Sequence, residues 1–142
     1  MSFKNPSKLE IIAEELLTYR LGFFIYKPFL KFINPQGTEK VIDFRCGGGS
    51  FAKQVIKKIG AGSLTCIDSS NFWVNKAKKR FKRYKNISFT SSINDSKLAS
   101  GSFDLACIHF VLHDIDKDKR KNIINNISSK LKKDGKIFIK GP

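Results

Sequence analysis

Val41-Ile42-Asp43-Phe44-Arg45-Cys46-Gly47-Gly48-Gly49-Ser50-Phe51 decides the fold of this chain. It reads as a short apolar strand, an acid at the strand tip, and a glycine-rich turn that opens an amphipathic helix. Glycine has no Cβ, so such a turn lets backbone N–H groups approach a ligand closely. The helix N-terminus that follows adds the positive end of a dipole. Arg45 stands where a further glycine is expected.

Outward from this stretch the pattern alternates. Phe51, Ala52, Val55, Ile56 and Ile59 mark one helix face, which stops at Gly60 and Gly62. Leu64–Asp68 reads as a second strand, again ending in an acid. Trp73, Ala77, Phe81 and Tyr84 recur at helical spacing, and Ile87–Thr90 reads as a third strand. Phe103–Phe110 is a fourth. Ile123, Ile124, Ile127 and Leu131 stripe a helix that Asp116 is placed to cap. Asp134-Gly135 reads as a turn and Ile137–Ile139 as a fifth strand.

Ahead of the glycine turn, Asn5 and Pro6 start a helix striped by Leu9, Ile12, Ala13, Leu16 and Leu17. Gly22 interrupts it, Phe23–Ile33 forms a second, mostly buried helical segment, and Pro35–Glu39 is a turn. Strand–helix alternation with continuous apolar strands predicts an α/β fold: a Rossmann-like three-layer sandwich around a mainly parallel sheet of about five strands. Residues 1–142 form one domain, with 6–33 as an N-terminal helical lid and 38–142 as the core. Ligands of such sheets bind beyond the carboxyl ends of the strands, where strand order reverses. Asp43 and Asp68 are expected side by side there.

The formal net charge is +15. That suits an acidic partner, such as nucleic acid or an anionic membrane surface, or else a composition bias. Lysine far outnumbers arginine, the better phosphate fork, so the bias is preferred over nucleic acid. Lys76, Lys78, Lys79, Arg80, Lys82, Arg83 and Lys85 then read as a solvated helix face. No signal peptide is read at the N-terminus, and Leu21–Ile33 is too short and too interrupted by Lys27, Pro28 and Lys31 to span a bilayer. Cys46, Cys66 and Cys107 lack metal-ligand spacing and read as free thiols of a cytoplasmic protein.

Two nucleotide-type ligands compete. Gly47-x-Gly49-x-x-Ala52, with Asp68 further on, matches the dinucleotide fingerprint. Asp43 just ahead of the loop would set a negative charge against a pyrophosphate. A ligand with a cationic amino group and a sulfonium would suit that acid.

At these residues the chain resembles the class I S-adenosylmethionine-dependent methyltransferases, in their small-molecule branch. That family's first motif is acid-x-Gly-x-Gly-x-Gly, and Asp43 to Gly49 meets it at every fixed position except Arg45. Leu64 to Ser70 is similar to the family's second strand. Ser102 to Ala106 and Phe110 to Asp114 are similar to its fourth strand and the segment after it. Leu131 to Ile139 is similar to its helix, turn and fifth strand. The resemblance covers roughly residues 35–142.

The resemblance implies S-adenosylmethionine as cofactor and methyl transfer to a small-molecule acceptor. The implied cofactor contacts are Asp43, Arg45, Cys46, Gly47, Gly49, Asp68, Ser69, Ile93, Asn94 and His109, with Asp68 on the ribose hydroxyls. For the adenine contact, Ser92, Ile93, Asn94 and Asp95 all stand near the place. Two alternatives stand beside this reading: a non-catalytic relative that acts through a partner, and an RNA-binding or RNA-modifying protein. No nucleophile, metal set or paired acid–base set emerges, and none is required, since methyl transfer needs mainly alignment. Trp73 reads as helix packing and His113 as structural. The family sheet has seven strands and this sequence stops after the fifth, so Ile137–Ile139 is expected as an open edge suited to a homodimer.

Overall fold

The computed structural model describes residues 5–109 and 111–141. Five strands form one sheet: β1 (Lys40–Phe44), β2 (Ser63–Ile67), β3 (Ile87–Thr90), β4 (Phe103–His109) and β5 (Leu131–Lys140). Their order is β3-β2-β1-β4-β5 and every pairing is parallel. The order reverses between β1 and β4, which places the crevice expected of such sheets at their carboxyl ends. Asp68 falls just past β2. Phe110, read as the end of the fourth strand, lies outside the described residues.

Both faces of the sheet are covered, which is why the strands read as continuous apolar runs. Val41 and Asp43 point to one face of β1, and Ile42 and Phe44 to the other. The first face packs against helices α2 (Gly22–Ile33), α3 (Ser50–Ile56) and α4 (Asn71–Arg80) through Phe29, Leu30, Phe51, Val55, Ala77 and Phe81. The second packs against α5 (Lys117–Lys130) through Ile123, Ile124 and Ile127. No helix joins β3 to β4; instead Ile93 and Leu98 from that connection plug the second face.

The first helix, α1 (Lys8–Ala13), does not start at Asn5-Pro6. Ser7 is its N-cap: its hydroxyl accepts the Glu10 N–H at 3.2 Å, and the Glu10 carboxylate accepts the Ser7 N–H at 2.7 Å. This reciprocal pair satisfies two donors that would otherwise be orphaned. α1 then widens into a π-helical segment, Glu14–Tyr19, before α2 begins at Gly22. The apolar stripe of this region is not core. Leu9 is 79% exposed and Leu17 61% exposed, because α1 and the π segment stand over the crevice rather than on the sheet.

The C-terminal reading also needs correction. Leu131 is not helical: it is extended (φ −81°, ψ 148°), and α5 runs straight into β5 without a loop. Leu131 pairs with Phe103, whereas Lys136 pairs with Leu105. The intervening residues 132–135 bulge out of the ladder, so the Asp134-Gly135 turn signal is realised inside a strand rather than between two elements. Asp116 holds the N-cap position of α5 without a side-chain cap; its carbonyl accepts the Lys119 N–H at 2.9 Å. The outer edge of β5 has no strand partner among the described residues. Phe138 meets the ring of Phe32 edge-on there, and Ile139 is exposed. Among the described residues no helix is long and apolar enough to cross a membrane.

Candidate functional site

The turn between β1 and α3 is wound tightly. Arg45, Gly47 and Gly49 all take left-handed backbone, with φ of 57°, 55° and 91°. The Cys46 N–H donates to the Ile67 carbonyl at 3.0 Å, which ties the turn to the end of β2. Asp68 completes the brace. One of its oxygens accepts the Gly47 N–H at 2.8 Å and the other accepts the Ser70 N–H at 2.9 Å. A carboxylate has about four acceptor sites, so these two bonds leave capacity for hydroxyl donors.

The floor of the turn is closed by other side chains. A Cβ on Gly48 would run into Glu14, Arg80 and Trp73, and one on Gly49 into the ring of Phe81. Arg80, at the end of α4, fastens the N-terminal segment to this turn. Its guanidinium donates to the Gly48 carbonyl at 2.8 Å, to both oxygens of Glu14 at 2.7 and 2.8 Å, and to Glu15. It also stacks on the Tyr19 ring, 3.8 Å from the centroid. Glu14, Glu15 and Tyr19 all belong to the π-helical segment, which Lys53 of α3 also reaches, its Nζ donating to the Tyr19 carbonyl at 3.5 Å.

Asp43 is fully buried beneath the crevice. Its Oδ1 accepts from His109 Nε2 at 2.9 Å, and its Oδ2 has no hydrogen-bond partner among the described residues. Burial pushes the Asp43 carboxyl up, against the pull of His109. His109 ends β4 and packs against the rings of Phe51 and Tyr26, 4.8 and 5.2 Å between centroids. The Tyr26 hydroxyl lies 3.3 Å from His109 Nδ1. With Nε2–H donated to Asp43, the hydrogen-bond network assigns Nδ1 as the acceptor of the Tyr26 proton. Burial, and then the Asp43 charge, push the Tyr26 phenol well above its ordinary range.

A cavity of about 560 Å³ opens over these groups. Arg45, Cys46 and Gly47 line it from the turn, and Tyr26, Trp73 and His109 from its sides. Leu9, Ala13 and Leu17 line it from α1 and the π-helical segment. Of the expected contact residues, Arg45, Cys46, Gly47 and His109 therefore reach the cavity. Asp43 and Asp68 lie one layer behind, gripping His109 and Gly47, and Gly49 closes against Phe81. Ser69 and Asn94 are exposed and Ile93 is buried in the second face of the core; none of the three lines the cavity. Trp73, read as packing, does line it. Tyr26 and the Glu14–Arg80 pair carry no sequence signal, since their partners are far away in the chain. Cys46, Cys66 and Cys107 are buried free thiols. A hydrogen bond with Cys66 and then burial hold Cys46 protonated, and burial does so for the other two.

A sequence model of the family described as "Methyltransferase domain" matches residues 41–135, more than half of the chain. Solved structures share the fold. A SAM-dependent methyltransferase from Aquifex aeolicus superposes with a TM-score of 0.75 at 20% identity, over 95% of this chain and 71% of that one. Coclaurine N-methyltransferase, bound to N-methylheliamine and SAH, gives 0.72 at 18% identity, over 82% of this chain and 34% of that one. PKMT2 from Rickettsia typhi, in complex with AdoHcy, gives 0.64 at 22% identity, over 73% of this chain and 21% of that one. At these identities the likeness is one of fold. The chain spans well under two thirds of the coclaurine and Rickettsia proteins.

Proposed function

We propose that this chain, which belongs to the methyltransferase-domain family, binds S-adenosylmethionine at the β1–β4 crevice and directs its methyl group to a small molecule. The observation that carries this reading is the turn at residues 45–49, wound left-handed at three positions and braced by Asp68 beside the cavity. The residues present fit such a ligand. The cavity volume of about 560 Å³ is that of an ordinary small-molecule site. Asp43, whose Oδ2 has no partner among the described residues, sets a buried carboxylate one layer behind the wall, a charge that favours a cationic ligand over a pyrophosphate.

Bound there, S-adenosylmethionine supplies an electrophilic methyl group on a sulfonium. The chain's own residues do the rest. Arg45, Cys46 and Gly47 form the wall on which the ligand lies, and Asp68 fixes that wall while keeping acceptor sites for the ribose hydroxyls. The lid, residues 6–33, brings Leu9, Ala13 and Leu17 over the cavity and excludes water. An acceptor with an apolar body suits that lining. Three buried thiols suit a reducing compartment such as the cytoplasm. The open outer edge of β5 makes self-association there part of the same proposal.

A second reading draws on one observation. Arg45 stands at the cavity wall, where its positive charge disfavours a sulfonium more than a neutral thioether, as in a relative that binds the product but does not turn over. Calorimetry with S-adenosylmethionine, S-adenosylhomocysteine and NADH separates these readings. Binding of both adenosyl ligands is expected, and Asp68→Ala should weaken it on the order of tenfold to a hundredfold, the worth of a charge-assisted hydrogen bond. Binding of the thioether alone favours the non-catalytic reading. Binding of neither, or of NADH in preference, overturns the proposal.

A further inference from the structure

The chain has two histidines, and one of them, His109, is built into a relay. Asp43 holds Nε2 at 2.9 Å, and the Tyr26 hydroxyl caps Nδ1 at 3.3 Å. Three elements supply the three residues: β1, β4 and α2. Asp43 is sealed from solvent, His109 nearly so, and both His109 and Tyr26 line the cavity. A buried carboxylate costs free energy unless a partner takes its charge. Here the partner is an imidazole whose other nitrogen faces a hydroxyl at the cavity wall.

We propose that His109 is the proton acceptor of this site, oriented by Asp43 and reached through the Tyr26 hydroxyl, and that the methyl acceptor is correspondingly protic, an amine or a hydroxyl. The role of the proton rests on the methyl-transfer reading above. As the acceptor's lone pair forms the new bond to the methyl carbon, the carbon–sulfur pair stays on sulfur as a neutral thioether. The acceptor's proton passes to Tyr26 Oη while the proton already on Oη moves to His109 Nδ1. The imidazolium that results keeps Nε2–H on Asp43, so its charge forms against a carboxylate already in place. Tyr26 ends as it began, and the proton leaves to solvent when the cavity opens.

His109 shares its cavity with several charged groups, among them Glu10 and Glu14 of the N-terminal segment. Phe51 from α3 is apolar. Lys140 of β5 is in register with His109, Arg45 and Asp114 stand on the cavity wall, and Asp68 lies beyond Asp43. Among the described residues, Asp43 is the carboxylate hydrogen-bonded to the ring.

The test needs no acceptor. Imidazole nitrogen resonances of the full chain, assigned with His113→Asn, give the tautomer of His109. The expected form at alkaline pH is Nε2–H, with an unprotonated, hydrogen-bonded Nδ1. Asp43→Leu, which removes the acceptor facing Nε2, should let an Nδ1–H form appear, whereas Asp43→Asn, whose Oδ1 still accepts, should keep Nε2–H. Tyr26→Phe should shift the Nδ1 resonance without changing the tautomer. Diethyl pyrocarbonate, which needs a neutral and reachable ring nitrogen, should modify His109 faster once Tyr26→Phe uncaps Nδ1. A proton on Nδ1 in the parent, a tautomer indifferent to Asp43→Leu, or a His109 inert in both the parent and Tyr26→Phe overturns the proposal. Failure to bind S-adenosylhomocysteine would overturn the cofactor reading instead, and leaves the imidazole results to be judged on their own.

Discussion

Arg45 and Gly47 flank Cys46 with the same left-handed backbone, φ 57° and 55°. Only the glycine adopts it without a steric penalty, since an L side chain there is strained by roughly 1–2 kcal/mol. Arg45→Gly should raise the urea midpoint, with a gain of about 1 kcal/mol after the larger chain entropy of glycine is subtracted. Arg45→Ala keeps the Cβ and should not. The same glycine variant should tighten S-adenosylmethionine more than S-adenosylhomocysteine, because a guanidinium at the wall repels only the sulfonium. Equal effects of Gly and Ala on the midpoint would show that the backbone strain is absent.

Arg80 should matter more to the lid than to the sheet. It bonds Glu14, Glu15 and the Gly48 carbonyl, and its side chain is only 10% exposed. Arg80→Met leaves Glu14 without its cation and should cost about 2 kcal/mol, less than a wholly buried pair. Hydrogen exchange checks where the loss falls. Amides of residues 8–19 should lose protection while those of β1 and β4 keep it. Unchanged protection over 8–19 would mean that the lid is held by something else.

Acid should weaken the approach to β1. Partial burial raises the Glu39 carboxyl, but the N–H groups of Gln36, Gly37 and Thr38, at 2.7–3.0 Å, outweigh this and hold it below its ordinary range. A carboxyl lowered on folding contributes stability that is complete above its unfolded value and is lost as pH falls through the folded one. Glu39→Gln should therefore destabilise at neutral pH by about 1 kcal/mol, discounted for partial exposure. The difference from the parent should fade below about pH 4, the unperturbed carboxylate range. Asp104, lowered first by the Lys40 amide and also by Lys132, works in the same direction. Asp43, raised by burial, works in the opposite one. Chemical denaturation from neutral to acid pH measures all three.

The outer edge of β5 should pair with a second copy. Ile139 is 51% exposed on that edge, and Lys136 and Lys140 flank it without covering it. Sedimentation should show concentration-dependent association that Ile139→Lys weakens. A monomer at every concentration would sink this prediction.

Much of the fold could be read because buried parallel strands write themselves as apolar runs. Phe103–His109 is the clearest case, with Ala106 to His109 all buried. Signals that depend on which local rule wins are harder to read. The helix start, read at Asn5 and Pro6, falls at Ser7, where the Ser7–Glu10 capping box satisfies two backbone donors. The π-helical segment has no local signature, because Arg80 grips it from 65 and 66 residues away. The candidate site was legible as a list of strand-end groups but not as a network. Asp43 and Asp68 were expected to face a ligand, and their nearest partners proved to be His109 and the turn's own amides. Those pairings are set by the β1–β4 register and the turn's winding, which spacing along one chain does not encode.

The bulge at 132–135 has a consequence for how the chain tolerates change in length. In a regular strand, removing one residue turns every later side chain to the opposite face. Ile137 would then leave the α5 side of the sheet and Phe138 the α2 side. Here the slack sits upstream of both, between the Phe103–Leu131 and Leu105–Lys136 pairs. Insertions or deletions among Lys132, Lys133 and Asp134 can be absorbed there, leaving both hydrophobic faces in phase. Gly135 is excepted, since a side chain at that point would collide with Leu131 and the Lys132 carbonyl. Natural length variants of this domain should cluster in those three positions, and a peptide tag inserted there should leave the sheet intact.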